Sequence, residues 1–181
     1  APAPSVFSRR YSLHELAEDK VFDEITVLLD LKQKTTPSAF DILRYAFTEM
    51  LNNAIDHSHA DFAKVQVTLD EYNCEFLIRD HGIGVFRSIT SKFNLSDETQ
   101  AVAELLKGKT TTMRQRHTGE GIFFTSKVGD VFALRSHEIE LTISNEGNDV
   151  FVGRARRLQG SEVRFRVKRR SRRTLADVFG E

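Results

Sequence analysis

The most informative segment of this chain for predicting its fold is Glu49-Met50-Leu51-Asn52-Asn53-Ala54-Ile55-Asp56-His57. It ends a segment that predicts a helix with Ser38 as its N-cap, because apolar residues recur there at three- and four-residue spacing. The apolar stripe consists of Phe40, Leu43, Phe47, Met50, Ala54 and Ile55. Glu49, Asn53 and either Asp56 or His57 share the polar face beside this stripe. Their carboxylate and amide oxygens suit a hydrated Mg²⁺, but taken alone the pattern also fits an ordinary solvated helix face.

Two glycine-containing segments follow. The first, Asp80-His81-Gly82-Ile83-Gly84, comes directly after a predicted strand. Its glycines permit positive φ, and its aspartate can accept a hydrogen bond from an exocyclic amine, although a plain strand-to-loop turn explains it equally well. The second, Thr118-Gly119-Glu120-Gly121-Ile122, leads into an apolar helix. The free N–H groups of such a helix start suit a triphosphate, whereas in isolation a simple entry turn explains the same residues.

The rest of the chain predicts a mixture of helices and strands. Residues 11–31 predict a helix with one apolar face, and residues 63–69 and 75–78 predict an antiparallel strand pair joined by a tight turn. Residues 98–106 predict another helix, which a polar stretch follows over residues 107–117. Further strands are predicted over residues 131–135, 138–144, 150–156 and 162–167, and a short helix over residues 175–179.

The composition is that of one globular domain. The 181 residues include 26 Lys and Arg against 26 Asp and Glu, so no net charge recruits nucleic acid or an acidic membrane. Arg164, Arg166 and Lys168 alternate in a basic C-terminal region, which favours the solvent face of a strand over a nucleic-acid contact. Cys74 is the only cysteine, which excludes an internal disulfide and agrees with a cytoplasmic location. No apolar run reaches the roughly 20 residues of a membrane span.

Four segments in order resemble the N, G1, G2 and G3 boxes of the GHKL ATPase superfamily, which includes histidine kinases, gyrase B and MutL-like proteins. Three have been quoted above, and the fourth is Gly160-Ser161-Glu162-Val163-Arg164-Phe165. The resemblance implies the Bergerat ATP-binding fold, an α/β two-layer sandwich of a mixed, mostly antiparallel sheet with helices on one face. We expect a histidine-kinase-like ATPase domain over residues 38–170, between an N-terminal linker and helix (1–37) and a basic extension (171–181).

The same resemblance implies roles for individual residues. Asn53 would ligate Mg²⁺, Glu49 would polarise the attacking water in members that hydrolyse ATP, and Asp80 would bind the adenine amino group. The polar stretch at residues 107–117 occupies the place of the family's ATP lid, where Lys109 is expected near the γ-phosphate unless the stretch is only a solvated loop. The remaining residues expected at the ATP site are His57, Gly82, Gly84, Gly119, Glu120, Gly121, Ile122 and Ser161.

Two functions from different classes follow from the resemblance. One is enzymatic: a histidine-kinase-like signalling or transcription-regulating protein that hydrolyses ATP or transfers its γ-phosphoryl group to a protein. The other is a non-catalytic switch, in which ATP binding changes contact with a partner or a neighbouring domain. The segment around His14 is too short for a phosphoacceptor hairpin, so a phosphoacceptor is expected on a protein partner or on another part of the polypeptide. Residues 11–31 are alternatively a helix packed on the ATPase sheet or a homodimer contact.

Overall fold

The computed structural model describes residues 3–92, 97–107 and 118–180. Within these residues, five strands form one antiparallel sheet in the spatial order β1-β2-β3-β5-β4. The strands are Ser5–Ser12 (β1), Phe62–Leu69 (β2), Asn73–Asp80 (β3), Val131–Ser144 (β4) and Asp149–Lys168 (β5). The helices are Glu18–Leu29 (α1), Leu31–Lys34 (α2), Pro37–His57 (α3), Val85–Lys92 (α4), Glu98–Lys107 (α5), Thr118–Val128 (α6) and Leu175–Phe179 (α7). The predicted α/β sandwich is therefore confirmed, and each of these strand pairs is antiparallel.

The hydrophobic core lies on one face of this sheet. Buried residues alternate with more exposed ones along β2 and β3, as expected for strands with one face against helices. Phe76 of β3 stacks on Phe165 of β5 with ring centres 5.1 Å apart. Phe76 also meets Phe47 of α3 edge-on at 5.3 Å, and all three rings are almost completely buried. These contacts hold α3 against two interior strands of the sheet.

The helix predicted from the Glu49–His57 stretch is confirmed as α3, with one correction at its start. Thr36 rather than Ser38 is the N-cap, because its Oγ1 accepts a hydrogen bond of 3.1 Å from the N–H of Ala39. Pro37 then occupies the first helical position, where its fixed φ is favourable and its missing N–H costs nothing. The helix ends at His57 as predicted.

The helix predicted over residues 11–31 is wrong at its start. Residues 5–12 form β1, an edge strand paired with β2, and α1 begins only at Glu18. Tyr11 lies opposite Ala63 in this pairing, and its hydroxyl donates a hydrogen bond of 2.6 Å to Glu24 of α1. Phe7 is the one residue of β1 that is buried. The apolar alternation that would reveal a strand is therefore too weak to recognise in the sequence.

Two long strands replace the four predicted beyond residue 130. β4 and β5 form a hairpin whose register shifts at Ser136 and His137, and His137 has a φ of 52° there. This β-bulge breaks the alternation of apolar residues, so the sequence suggests shorter, separate strands. The sequence does not predict α4, whereas α5, α6 and α7 are found where helices are predicted. In the described part of the chain, no helix has both the length and the apolar character needed to cross a membrane.

Candidate functional site

A cavity of about 460 Å³ lies between α3, the end of β3 and α6. This volume includes space that is open to solvent. Apolar side chains form much of its wall, among them Met50, Ile78, Val85, Leu134 and Val163. The cavity also brings together predicted site residues from the N, G1, G2 and G3 segments, namely Asn53, His57, Asp80, Ile122 and Ser161. An apolar cleft with a few convergent polar groups suits a flat heterocyclic ligand.

Asp80 is the buried carboxylate of this cavity. It is the last residue of β3, lies opposite Ser161 of β5 and is only 5% exposed. Burial raises the pKa of the Asp80 carboxyl above its ordinary value, and hydrogen bonds from the backbone N–H groups of Gly82 and Ser161 oppose that rise. The bond from the Gly82 N–H to Oδ1 is 2.9 Å long. A carboxylate held in this way is a strong, oriented acceptor for an N–H group of a ligand.

The loop after Asp80 is held in place by close backbone packing. Gly82 lies so close to the backbone carbonyl of Ser58, at the end of α3, that a Cβ atom would collide with it. Gly84 has a φ of +93°, and a Cβ there would lie 2.5 Å from the Oγ of Ser136. Ser161 Oγ accepts a hydrogen bond of 2.7 Å from the N–H of Val85 at the start of α4. The two glycines therefore let the loop fit against the protein; that they also let the backbone pass a nucleotide stays a prediction.

A second cavity, of about 800 Å³, adjoins the first along α3. Glu49 and Gly121 line the second cavity, and Asn53 and His57 line both, so these last two side chains stand at the junction. A Cβ atom on Gly121 would lie 2.6 Å from Oε2 of Glu49, which shows how closely α6 approaches the acidic side chain. The polar face predicted for α3 therefore lines a cavity opposite α6.

The amide of Asn53 is the clearest indication of a ligand site at this junction. Its Nδ2 atom is buried and has no hydrogen-bond partner among the described residues. An unsatisfied buried polar atom costs roughly 1–3 kcal/mol, so a bound group that accepts from it would be stabilised. The side-chain oxygens of Asn53 and Glu49 are also of the type that Mg²⁺ takes, with water and phosphate oxygens completing its octahedron. The residues present therefore fit Mg²⁺ together with a phosphate-bearing ligand.

The start of α6 supplies backbone donors to the same region. Gly119, Glu120 and Gly121 fall in the first turn of α6, where N–H groups lack acceptors within the helix. Ile122 follows and lines the first cavity. Lys109 lies outside the described residues, as does most of the predicted lid.

Ser136 and His137 shape the site but carry no recognisable signal in the sequence, whereas Gly160 belongs to the fourth quoted segment. Gly160 packs against the backbone of Asp80, and the buried hydroxyl of Ser136 donates a hydrogen bond of 2.7 Å to the Gly160 carbonyl. His137 Nδ1 lies 2.8 Å from a carboxylate oxygen of Glu98 and so joins β4 to α5. Val85 of the apolar wall could have been predicted from the sequence, because it directly follows the segment that contains Gly82 and Gly84.

Comparison with known families agrees with this geometry. The family model of the histidine kinase-like ATPase domain matches residues 17–153. The match includes α3 and α6, which line both cavities, and Asp80, which lines the first, but it ends before Ser161 and Val163 of the first cavity. A search of curated proteins finds no match to the chain.

Proposed function

This chain belongs to the histidine kinase-like ATPase domain family, and from that premise we propose that it binds ATP with Mg²⁺ in the two adjoining cavities. Family membership supports ATP binding, and the roles of individual residues in that binding are what we propose. Two polar groups carry the proposal: the buried carboxylate of Asp80, and the amide nitrogen of Asn53, which has no partner in the described part of the chain. We further propose that the ATPase unit spans residues 38–170 and acts on, or through, a protein partner in signalling or transcription.

The adenine base occupies the 460 Å³ cavity in this proposal. Asp80 accepts a hydrogen bond from the exocyclic amine, and the Ser161 hydroxyl lies close enough in the same cavity to contribute a second polar contact. The apolar wall, which includes Met50 and Ile122, covers the faces of the ring. Apolar walls with one buried acceptor select for a flat ring that carries an amine.

The phosphates lie at the junction of the cavities, beside α3 and the start of α6. Asn53 holds Mg²⁺ through its amide oxygen, and backbone N–H groups at Gly119 and Gly121 donate to phosphate oxygens. His57 donates from its ring at the same junction. When bound, Mg²⁺ neutralises charge on the phosphate oxygens. Glu49 faces Gly121 across this space, and its carboxylate orients a water molecule or an acceptor hydroxyl and takes its proton.

A switch without turnover is the second candidate, and two ring contacts favour it. Phe179 of α7 meets Tyr45 of α3 and Phe124 of α6 edge-on, with ring centres 5.1 Å and 4.9 Å apart. Tyr45 and Phe124 both line the second cavity. Helix α7 therefore contacts the two helices that we propose to hold the phosphates, and a shift of either helix would change the packing of α7.

Calorimetric titration with Mg-ATP tests the proposed site. The Asp80→Asn variant replaces one carboxylate oxygen by a donor, so we expect ATP to bind roughly 10- to 100-fold more weakly, as for loss of a hydrogen bond to a charged group. Asn53→Ala should lower affinity for Mg-ATP while leaving the weaker Mg²⁺-free binding of ATP largely unchanged. The matched control is Asp61→Asn, an exposed carboxylate of the same type outside both cavities. Absence of any adenine nucleotide binding to the wild-type protein would overturn the proposal.

Release of ADP from the same samples separates the enzyme from the switch. Glu49→Gln keeps the size of the side chain but removes the proton acceptor, so turnover should fall about 100-fold or more while ATP still binds. Glu71→Gln, in the exposed turn between β2 and β3, is the control for a Glu-to-Gln change. Wild-type protein that binds ATP and releases no ADP would favour the switch instead.

A further inference from the structure

A third cavity, of about 670 Å³, shares the Asp80 loop with the first but has no lining residue in common with it. Its wall includes the loop residues Gly82 and Ile83 and six side chains that bear nitrogen atoms. We name it the basic cavity, and these side chains are His59, His81, Arg87, His137, Arg157 and Gln159. None of these six residues lines the first or the second cavity.

The charge of the basic cavity is of one sign. Of the described residues that line it, none carries a carboxylate. Arg87 forms no ion pair with any residue in the described part of the chain. Arg157 lies 3.6 Å from Glu138, but its side chain is 72% exposed, and exposed pairs of this kind contribute little. His137 Nδ1 contacts Glu98, while Nε2, on the opposite edge of the ring, faces Gly84.

Backbone conformation at two of the histidines is unusual. His59 has a φ of 60° and His137 a φ of 52°, both in the left-handed region that residues with a Cβ rarely occupy. Such a conformation costs about 1–2 kcal/mol and persists only where the surroundings impose it. At His137 it coincides with the β-bulge, a feature that redirects side chains and recurs next to binding sites. Both histidines line the basic cavity.

We propose that the basic cavity binds a small phosphate-bearing anion, at a site separate from the ATP site. A guanidinium group matches the oxygens of a phosphate with two parallel N–H donors, and Arg87 and Arg157 supply two such groups. The imidazoles and the Gln159 amide add further donors. A metal ion is not the expected ligand, because no group of three or more His, Cys, Asp or Glu side chains among the described residues has the arrangement to hold one.

Histidine NMR with pyrophosphate as the probe tests this proposal. The chain contains six histidines, and single His→Asn variants assign their imidazole signals. Pyrophosphate is titrated without Mg²⁺, which keeps its affinity for the proposed ATP site low. We expect the signals of His59, His81 and His137 to shift together with one dissociation constant. The signal of His14, which lines none of the three cavities, should not move.

Arginine variants provide the matched comparison. The Arg87→Gln and Arg157→Gln double variant should weaken pyrophosphate binding about tenfold or more, because two charge-assisted contacts are lost. Both side chains are exposed, so we expect the variant to fold, and its circular dichroism spectrum checks this. Arg154→Gln is the control, since Arg154 is on the same strand and also contacts Glu138 but does not line the basic cavity.

Three results would overturn the proposal. A shift confined to His57 would mean that pyrophosphate binds at the proposed ATP site. Equal shifts of all histidines, His14 included, would indicate a general ionic effect. Unchanged affinity in the folded Arg87→Gln and Arg157→Gln variant would exclude these side chains as the anion contacts.

Discussion

The substitution Gly160→Ala adds a single methyl group and tests whether close packing around the Asp80 loop determines both stability and ATP binding. Gly160 lies on β5 beside Asp80 and has a φ of +81°. A Cβ atom there would lie 2.7 Å from the N of Gly82 and 2.7 Å from the Cα of His81, and closer still to the carbonyl oxygen of Asp80. All three are backbone atoms, so no side chain can rotate away to relieve the contact. We therefore expect Gly160→Ala to disturb the loop that follows Asp80, the carboxylate that we propose to bind adenine.

The expected cost has two parts. A positive φ costs a residue with a Cβ about 1–2 kcal/mol. Overpacking against neighbours that cannot move costs about 1–3 kcal/mol more. The variant should thus lose about 2–5 kcal/mol of unfolding free energy, less whatever the chain recovers by moving the loop. Any such movement shifts Asp80, so ATP affinity should fall as well.

Urea denaturation followed by circular dichroism measures the first effect, and calorimetric titration with Mg-ATP the second. Gly153→Ala is the matched control, because Gly153 is also on β5 but has no positive φ. The nearest atoms to a Cβ there belong to the ring of Phe151, which is 56% exposed and free to turn. Its cost should stay below about 1 kcal/mol, because only an exposed ring has to move.

Equal stability and equal ATP affinity in the two alanine variants would refute this reasoning. It would mean that the loop after β3 relaxes without cost, and that contact with Gly160 does not determine where Asp80 lies. Loss of stability with unchanged ATP affinity would show instead that the close packing supports the fold but not the ligand.

Two further predictions concern the periphery of the site and the N-terminal strand. Burial, together with the hydrogen bond to Glu24, raises the pKa of Tyr11 to about 12. The neutral phenol therefore stabilises the fold fully below pH about 10, and this contribution is lost as pH rises towards about 12. The unfolding free energy should decline over that pH range, and the decline should be shallower in Tyr11→Phe. Phe179→Ala removes two edge-on ring contacts and should cost about 1–2 kcal/mol in urea denaturation, against almost nothing for the exposed Phe151→Ala. A Phe179→Ala protein as stable as Phe151→Ala would show that α7 does not anchor on the site helices.

Local patterns were sufficient to predict most of the central elements. Helix α3 has an apolar stripe of three- and four-residue spacing, and β2 and β3 alternate because one face of each is buried. Strand β1 could not be predicted, because an edge strand with one buried residue has almost no alternation. The break in the β4–β5 hairpin also misled the prediction, since a bulge shifts the alternation without ending the strand.

Sequence by itself determined which residues are able to build the candidate site: a carboxylate and an amide one helical turn apart, an aspartate at a strand end, and glycines at a helix start. Their chemical types and spacing are local properties, so the chain displays them directly. It takes the folded chain to bury Asp80 opposite Ser161, to leave the Asn53 amide nitrogen without a partner among the described residues, and to gather residues from distant segments into the basic cavity. Burial and unmet hydrogen bonds depend on which elements pack together. That packing follows from long-range contacts, which no local pattern in the sequence encodes.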